Sequence, residues 1–407
     1  MTTESASAQS LQELKAQLAE LKREMDQLKG DRGAVGDDLD PSLDELMARS
    51  KGLTFNFYGE SKYNWTRGSS ANYFDPHRFV LIPQYKVNDW IHFTSELELE
   101  HGGTDDSDGG RFDGELELEQ FHADVQIWGD KENNWLTWRS LGVSLIPVGR
   151  INLVHEPDTF YSVHRPIMYK YIIPSTWMEG STGFMGDVPG VEGLGWQFMI
   201  STGLSSKDGQ ITDSKGVRST RPNLRAKGEN NQMAYTMRME YDAPAGSTLD
   251  GFSGSASTYI TDYREASNPN STQAILWDVE GAYLFRNGFM KDFELIADYG
   301  AWSFSDPDAI ADANVGDEMY GYRFELAYHW RYGVADQKVV PYFRYEGYNT
   351  SSGGKGNNTF TKSGSLNYLS YGASWYIDPQ MVIKAGMRQS LDQNSKSEFS
   401  VGVGFHF

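Results

Sequence analysis

The chain has 407 residues, of which 39% are hydrophobic, 23% charged and 14% aromatic, with no cysteine and a formal charge of −20. A charge this negative excludes a nucleic-acid binder, which needs a basic face to release counterions from phosphate, and the missing cysteine excludes disulfides, thiolate metal sites and a cysteine nucleophile. No run of about 18 apolar residues exists to form a transmembrane helix.

The first ten residues, MTTESASAQS, have neither a basic nor an apolar leader segment, which fits a cytosolic chain or one whose secretory leader has been removed. From there Leu11, Leu14, Leu18, Leu21, Met25 and Leu28 recur at alternating spacings of three and four. That is a heptad seam, with Lys15, Lys22 and Glu24 at the flanking positions where charge sets partner choice. The pattern predicts a coiled-coil helix over residues 1–29 that holds copies of the chain together; the competing reading is a lone amphipathic helix lying on the rest of the molecule. Residues 30–50 read as a polar linker with a short helix from Ser42 to Arg49.

From residue 51 onward the apolar period falls from 3.5 to 2. Tyr322, Phe324, Leu326, Tyr328 and Trp330 alternate with Arg323, Glu325 and His329, and the last strand sets Phe399, Val401, Val403, Phe405 and Phe407 against Ser400, Gly402, Gly404 and His406. About sixteen such runs, beginning near Leu53, Phe79, Ile91 and onward to Glu398, fill residues 51–407, the proportion expected of strands of about 10 residues crossing a bilayer at a tilt. Short connections such as 87–89 and 378–379 alternate with long polar ones such as 203–231 and 303–317. The fold expected is therefore all-β, a transmembrane antiparallel barrel of about sixteen strands, within fourteen to eighteen. A soluble sandwich also alternates, but its second face would bury unpaired Glu and Arg at several kcal/mol each.

If the apolar dyads face lipid, the residues between them line the interior. Glu96, Glu98 and Glu100 with Glu115, Glu117 and Glu119 then form an acidic wall. Arg238, Arg323, Arg344, Lys384 and Arg388 supply basic groups elsewhere. Such opposed charges orient polar solutes in water, with a modest preference for cations. The loop after Glu100 holds Asp105, Asp106 and Asp108, which read either as a structural divalent-cation site or as a hydrated acidic surface; the run DDSDGG lacks the closing Glu of a calcium loop. No other cofactor is expected.

Residues 150–180 break the alternation. Pro157, Pro166 and Pro174 prevent regular pairing, while Phe160, Tyr161, Tyr169, Tyr171 and Trp177 need burial. The expectation is a segment folded into the barrel as a pore constriction, presenting Arg150, His155, Glu156, Asp158, His164, Arg165 and Lys170; an outer loop packed on its neighbours is the other reading. None of the eight histidines joins a hydrolase triad, and G-x-S-x-G, H-E-x-x-H and nucleotide-binding loops are absent from any suitable strand-helix unit. No enzymatic activity is expected.

The strand Phe399, Val401, Val403, Phe405, Phe407 resembles the terminal strand of Gram-negative outer-membrane barrels, and the resemblance implies insertion by the barrel-assembly machinery as a barrel assembly signal. The block Val148-Gly149-Arg150-Ile151-Asn152-Leu153-Val154-His155-Glu156-Pro157, with His164-Arg165-Pro166 and Tyr171 to Trp177, is similar to porins of the phosphate-selective superfamily. An N-terminal coil before a barrel also resembles trimeric porins with a periplasmic coiled coil. The resemblance implies an outer-membrane porin of homotrimeric form, in contact with membrane lipid and lipopolysaccharide, with its coil in the periplasm and within reach of peptidoglycan. It implies diffusion of small hydrophilic solutes. The competing functions are the barrel sheath of a porin-cytochrome electron conduit and a structural envelope tether.

Overall fold

The computed structural model describes residues 52–66, 72–103, 114–130, 132–207, 209–221, 232–265, 270–333, 336–353, 365–392 and 396–407. The heptad residues Leu11 to Leu28, the linker and Asp105, Asp106 and Asp108 lie outside them.

The first eight strands are β1 (Leu53–Thr66), β2 (Tyr73–Lys86), β3 (Ile91–Glu100), β4 (Leu116–Gly129), β5 (Asn134–Leu145), β6 (Met178–Asp187), β7 (Leu194–Thr202) and β8 (Met233–Asp242). The second eight are β9 (Phe252–Arg264), β10 (Ser271–Leu284), β11 (Phe293–Phe304), β12 (Glu318–Tyr328, continued by Trp330–Arg331), β13 (Lys338–Ser352), β14 (Ser365–Asp378), β15 (Met381–Ser390) and β16 (Glu398–His406). Each pairs antiparallel with its chain neighbours, and β1 pairs with β16, so the sixteen strands close on themselves. Closure leaves the sheet without a free edge. Among the described residues no helix is long and apolar enough to cross a membrane.

Burial follows the sequence dyads. In β8, Met233, Tyr235 and Met237 are about half exposed while Ala234, Thr236 and Arg238 are buried. In β12, Phe324, Leu326 and Tyr328 are exposed and Arg323, Glu325 and Ala327 buried. A closed sheet hides its inner face, so the buried polar set lines the interior and the apolar set forms the outer wall. An apolar outer belt of this extent is unstable in water and suited to hydrocarbon. Connections after even-numbered strands are tight, as at 87–90 and 379–380; those after odd-numbered strands include 146–177, 203–232 and 305–317.

The seam runs from Tyr58 opposite His406 to Thr66 opposite Glu398. At its end the Phe57 and Phe407 backbones exchange two hydrogen bonds of 2.8 Å, and their rings lie 5.1 Å apart. An aromatic pair of this kind adds about 0.5–1.5 kcal/mol beyond the area it buries, here at the end of the closing seam. Deleting Phe407 should therefore slow the appearance of the heat-modifiable band on a gel far more than deleting Met1; equal rates would refute this role.

β2 begins at Tyr73, before the expected Phe79. Glu60 pairs with Arg78 but Lys62 pairs with Asp75, so Pro76 and His77 face one residue of β1 in a bulge. The bulge shifts the dyad by one residue, and the missing amide of proline is tolerated there. The strand expected near Phe289 starts at Phe293, because 285–292 form a turn in which the Asp292 amide donates to the Phe285 carbonyl at 2.9 Å.

Candidate functional site: the barrel interior and residues 146–177

The connection from β5 to β6 contains two single-turn helices, α1 (Arg150–Leu153) and α2 (Met168–Tyr171). Asn152 ties its two ends together: the side-chain amide donates to the Ile146 carbonyl at 2.8 Å, and its oxygen accepts from the Trp177 amide at 2.8 Å. Gly149 has φ 70°, and a Cβ there would stand 2.8 Å from the Tyr169 ring and 2.9 Å from Ile173. Only glycine fits that turn.

The irregular backbone is satisfied by the inner faces of strands around the ring. On one arc the Trp302 indole donates to the Ile172 carbonyl at 2.8 Å, Glu346 accepts from the Ile167 amide at 2.7 Å, and the Tyr169 hydroxyl meets Glu280 at 2.9 Å and Asp298 at 3.2 Å. On the other the Lys384 ammonium donates to the Phe160 and Ser162 carbonyls at 2.6 and 3.1 Å, the Tyr376 hydroxyl to the Asp158 carbonyl at 3.0 Å, and Arg78 to the His155 carbonyl at 2.6 Å. The segment is thus anchored to strands from β10 around through β15 to β2, and its extreme contacts, Trp302 and Arg78, lie on nearly opposite strands of the ring. Backbone carbonyls away from water require such partners.

Its apolar side is equally placed. Ile146, Val148, Met168, Ile172, Ile173 and Trp177 are buried in one cluster with the inward Tyr259, Leu276, Trp302 and Met319, and with Leu204, Ile211, Ile310 and Val315 from other long loops. Two glycines make room for it. Gly300 and Gly321 pair directly across β11 and β12, and a Cβ on them would come within 2.8 Å of Ile173 and 2.7 Å of Met168. On β16 a Cβ at Gly404 would fall 2.4 Å from Pro157. The part of the wall that carries Tyr259, Leu276, Trp302 and Met319 is therefore a packed core rather than a hydrated surface, while the polar stretches of the same strands border open space.

The expected interior charges are brought inside mostly as pairs. Arg238 binds Glu240 and Glu280, both at 3.1 Å; Arg323 binds Asp298 at 2.5 Å; Arg344 binds Glu325 closely and lies 3.5 Å from Glu346; Arg388 binds Glu398 at 2.7 Å. Lys384 is held by loop carbonyls instead. Of the acidic wall, Glu96, Glu98 and Glu119 are fully buried together, with Glu98 opposite Glu117, while Glu100 is half-buried and Glu115 is exposed at the end of the wall. Opposite it, Arg165 has Arg78, Glu60 and Glu98 as charged neighbours and donates to Ser175 at 2.9 Å. Lys170 does not meet that wall: α2 turns it outward over the Tyr171 ring, near Arg218, Arg388 and Glu398.

Of the remaining constriction residues, Arg150 reaches Ser253 at 3.2 Å and lines a cavity of about 370 Å³ with Glu240, Glu280, Asp298 and Arg323. Asp158 lies 3.3 Å from His406, and Glu156 is half-buried. His164 sits on the seam, 2.9 Å from Asn64 of β1 and 3.0 Å from Ser400 of β16. His155 meets the Tyr58 hydroxyl at 3.1 Å and Glu119 at 3.6 Å. Burial, with Arg165 and Arg78 nearby, pushes its imidazole down to about 3, so it is neutral near pH 7. Sequence reasoning missed the β1–β2 group, Tyr58, Glu60, Lys62, Asp75 and Arg78: the bulge at Pro76 puts Asp75 and Arg78 out of phase, whereas Tyr58, Glu60 and Lys62 alternate regularly along β1 and were the signal that could have found it.

No protein-family profile matches the chain. It is 25% identical over 364 residues to an uncharacterized protein of Aquifex aeolicus strain VF5, covering 85% of this chain and 78% of that one. Its structure is similar to the anion-selective porin from Comamonas acidovorans, with a TM-score of 0.53 at 10% identity over 87% of this chain and 99% of that one. It is also similar to in-vitro folded OmpT, an outer membrane protein of Vibrio cholerae in trimer form, with a TM-score of 0.52 at 10% identity over 87% and 99% of the two chains. At such identities the likeness is one of architecture: the chain has the closed sixteen-strand antiparallel barrel found in porins.

Proposed function

We propose that this protein is an outer-membrane porin, a water-filled passage for small hydrophilic solutes or ions narrowed by residues 150–180. The observation that carries the reading is the anchoring of that segment to inward groups on nearly opposite strands, from Arg78 to Trp302. An electron-conduit sheath needs a wide lumen, and the packed segment takes up that space. The acidic balance of the interior favours cations.

The test is a planar-bilayer recording in salt gradients with the purified, heat-modifiable protein. Stepwise currents with modest cation preference are expected, and Arg165→Glu should move the reversal potential further toward cation selectivity by removing the cation opposite Glu98. A pure, folded barrel that passes no ions sinks the reading. Phosphate added to the same recording tests kinship with phosphate-selective porins: competition with chloride current supports it, and indifference removes it.

Three copies per assembly is the further part of this reading, supported by the heptads at Leu11 to Leu28 and by the trimer form of the Vibrio protein. The coil would link barrels already in contact and so raise their effective concentration. It would lie in the periplasm, within reach of peptidoglycan, while the apolar belt meets lipid and the long loops meet lipopolysaccharide. Native mass spectrometry in mild detergent should give trimers that weaken, with barrels intact, when residues 1–40 are removed. Monomers from the whole chain at micromolar concentration would contradict it.

A further inference from the structure

Glu96 on β3, Glu119 on β4 and His155 on the inward segment each offer one ligand atom, and these atoms all lie within 4.8 Å of one another. All three residues are at least 97% shielded from solvent, with exposures of 3, 0 and 3%. The imidazole is oriented by its other nitrogen, Nδ1, which is 3.1 Å from the Asn152 carbonyl oxygen. A carbonyl only accepts, so Nδ1 carries the proton and the neutral ring turns the lone pair of Nε2 toward Glu119 Oε2, 3.6 Å away.

A second observation shows that something is owed there. Among the described residues no donor side chain or amide reaches either oxygen of Glu119 or of neighbouring Glu98 at hydrogen-bond distance, and the two carboxyls are in contact with each other. Arg78 gives Nε to Glu60 at 2.9 Å and Nη2 to the His155 carbonyl at 2.6 Å, and its remaining Nη1 stands 3.7 Å from Glu98, on the side of that carboxylate rather than between Glu96 and Glu119. The Tyr58 hydroxyl has a single proton to share between Glu96 and Nε2, both at 3.1 Å. Buried carboxylates in this state carry a desolvation cost that a positive charge between them would offset.

We propose that Glu96, Glu119 and His155 bind one divalent first-row transition-metal ion such as zinc, which fastens the inward segment to the β3–β4 wall. Mixed imidazole and carboxylate donors suit such an ion, whereas calcium takes oxygen alone. Metal–ligand bonds of about 2.0–2.2 Å place adjacent donors a little over 3 Å apart, close to the 3.6 Å between Nε2 and Oε2. The supporting shell is present too: the Asn152 carbonyl holds the imidazole, and Tyr58 and Gln120 hold the two oxygens of Glu96. Among the described residues the other trio of this kind, Asp75, His77 and His101, is partly exposed, and Asp75 already meets His101 at 2.8 Å.

The test uses the whole protein in detergent, stripped with a chelator, equilibrated with micromolar zinc and passed through gel filtration. One zinc per chain is expected by elemental analysis, and cobalt in its place should give visible d–d absorption characteristic of a nitrogen and oxygen site. Glu119→Gln should lower retained zinc at least tenfold, His155→Gln should abolish the cobalt bands, and Asp75→Asn should change neither. Should a variant fail to give the heat-modifiable barrel, the cobalt spectrum of the parent decides alone. A parent that retains no zinc and shows no cobalt bands, a Glu119→Gln protein that binds like the parent, or loss of binding in Asp75→Asn each overturns the proposal; the first would mean that a proton shared between carboxylates occupies the place. Metal retention is read without current, so its failure and the failure of the channel reading are separate results.

Discussion

Replacing Phe160 to Tyr169 by a short glycine-serine run should raise single-channel conductance severalfold while the barrel stays heat-modifiable. The wall is held by its own backbone ladder, which pairs β1 with β16 along the seam. What the change removes is the carbonyl partners of Lys384, the amide partner of Glu346 and the apolar packing of Met168 against Gly321. Gly321→Leu tests the same idea by addition. Its Cβ would arrive 2.7 Å from that of Met168, closer than real Cβ contacts, and overpacking of this kind costs about 1–3 kcal/mol. The wall is fixed and α2 has one turn, so the helix is the part that yields. Conductance should rise less than in the deletion but in the same direction. Unchanged currents in both proteins would place the segment outside the permeation path.

The largest loss of stability is expected from Arg344→Met. Arg344 is fully buried, bound to Glu325 and to Ser162 of the inward segment, and near Glu346, which in turn receives the Ile167 amide. Removing it leaves two buried carboxylates facing each other without a cation, a change that costs about 3–5 kcal/mol when one partner of a buried pair is lost. The result should read as a lower temperature for loss of the compact gel band and faster protease cleavage between Phe160 and Tyr169. Adding Glu325→Gln and Glu346→Gln to Arg344→Met should recover most of the loss. If the single change is silent, the guanidinium does not hold the segment.

The architecture was legible in the sequence because a closed barrel makes every strand obey one rule. Met233 to Tyr241 and Phe399 to Phe407 alternate cleanly, and β8 and β16 lie where that alternation sets them. Register defects were not legible: Pro76 and His77 restart the dyad of β2, so the approach of Asp75 and Arg78 to Lys62 and Glu60 stayed hidden until β1 and β2 were paired. Inward aromatics were a second blind spot. Trp302 and Phe304 continue the inward register of Asp298 and are buried with Trp177, which no feature of their own stretch announces. A period of two says which residues share a face and not what covers it. Arg165 and Lys170 also part company, because Arg165 lies before Pro166 in irregular backbone while Lys170 sits on α2. The meeting of Glu119 with His155 depends on where a proline-broken segment lands, and nothing local in either stretch encodes that.

The position of His164 has a consequence for the order of assembly. It touches Asn64, near the start of the barrel, and Ser400, near its end, while Ser400 also donates to Asn64 at 2.8 Å. The first and last strands come from opposite ends of the polypeptide, so the cylinder cannot shut until synthesis is finished, and pairing across so long a separation is slow. A segment from the middle of the chain that bridges both sides of the last joint must already be inside, or enter as the gap narrows. The nascent sheet thus closes around its own contents, and the same contacts that occupy the interior act as a latch on the joint, so variants that eject the segment should also leave the cylinder open for longer.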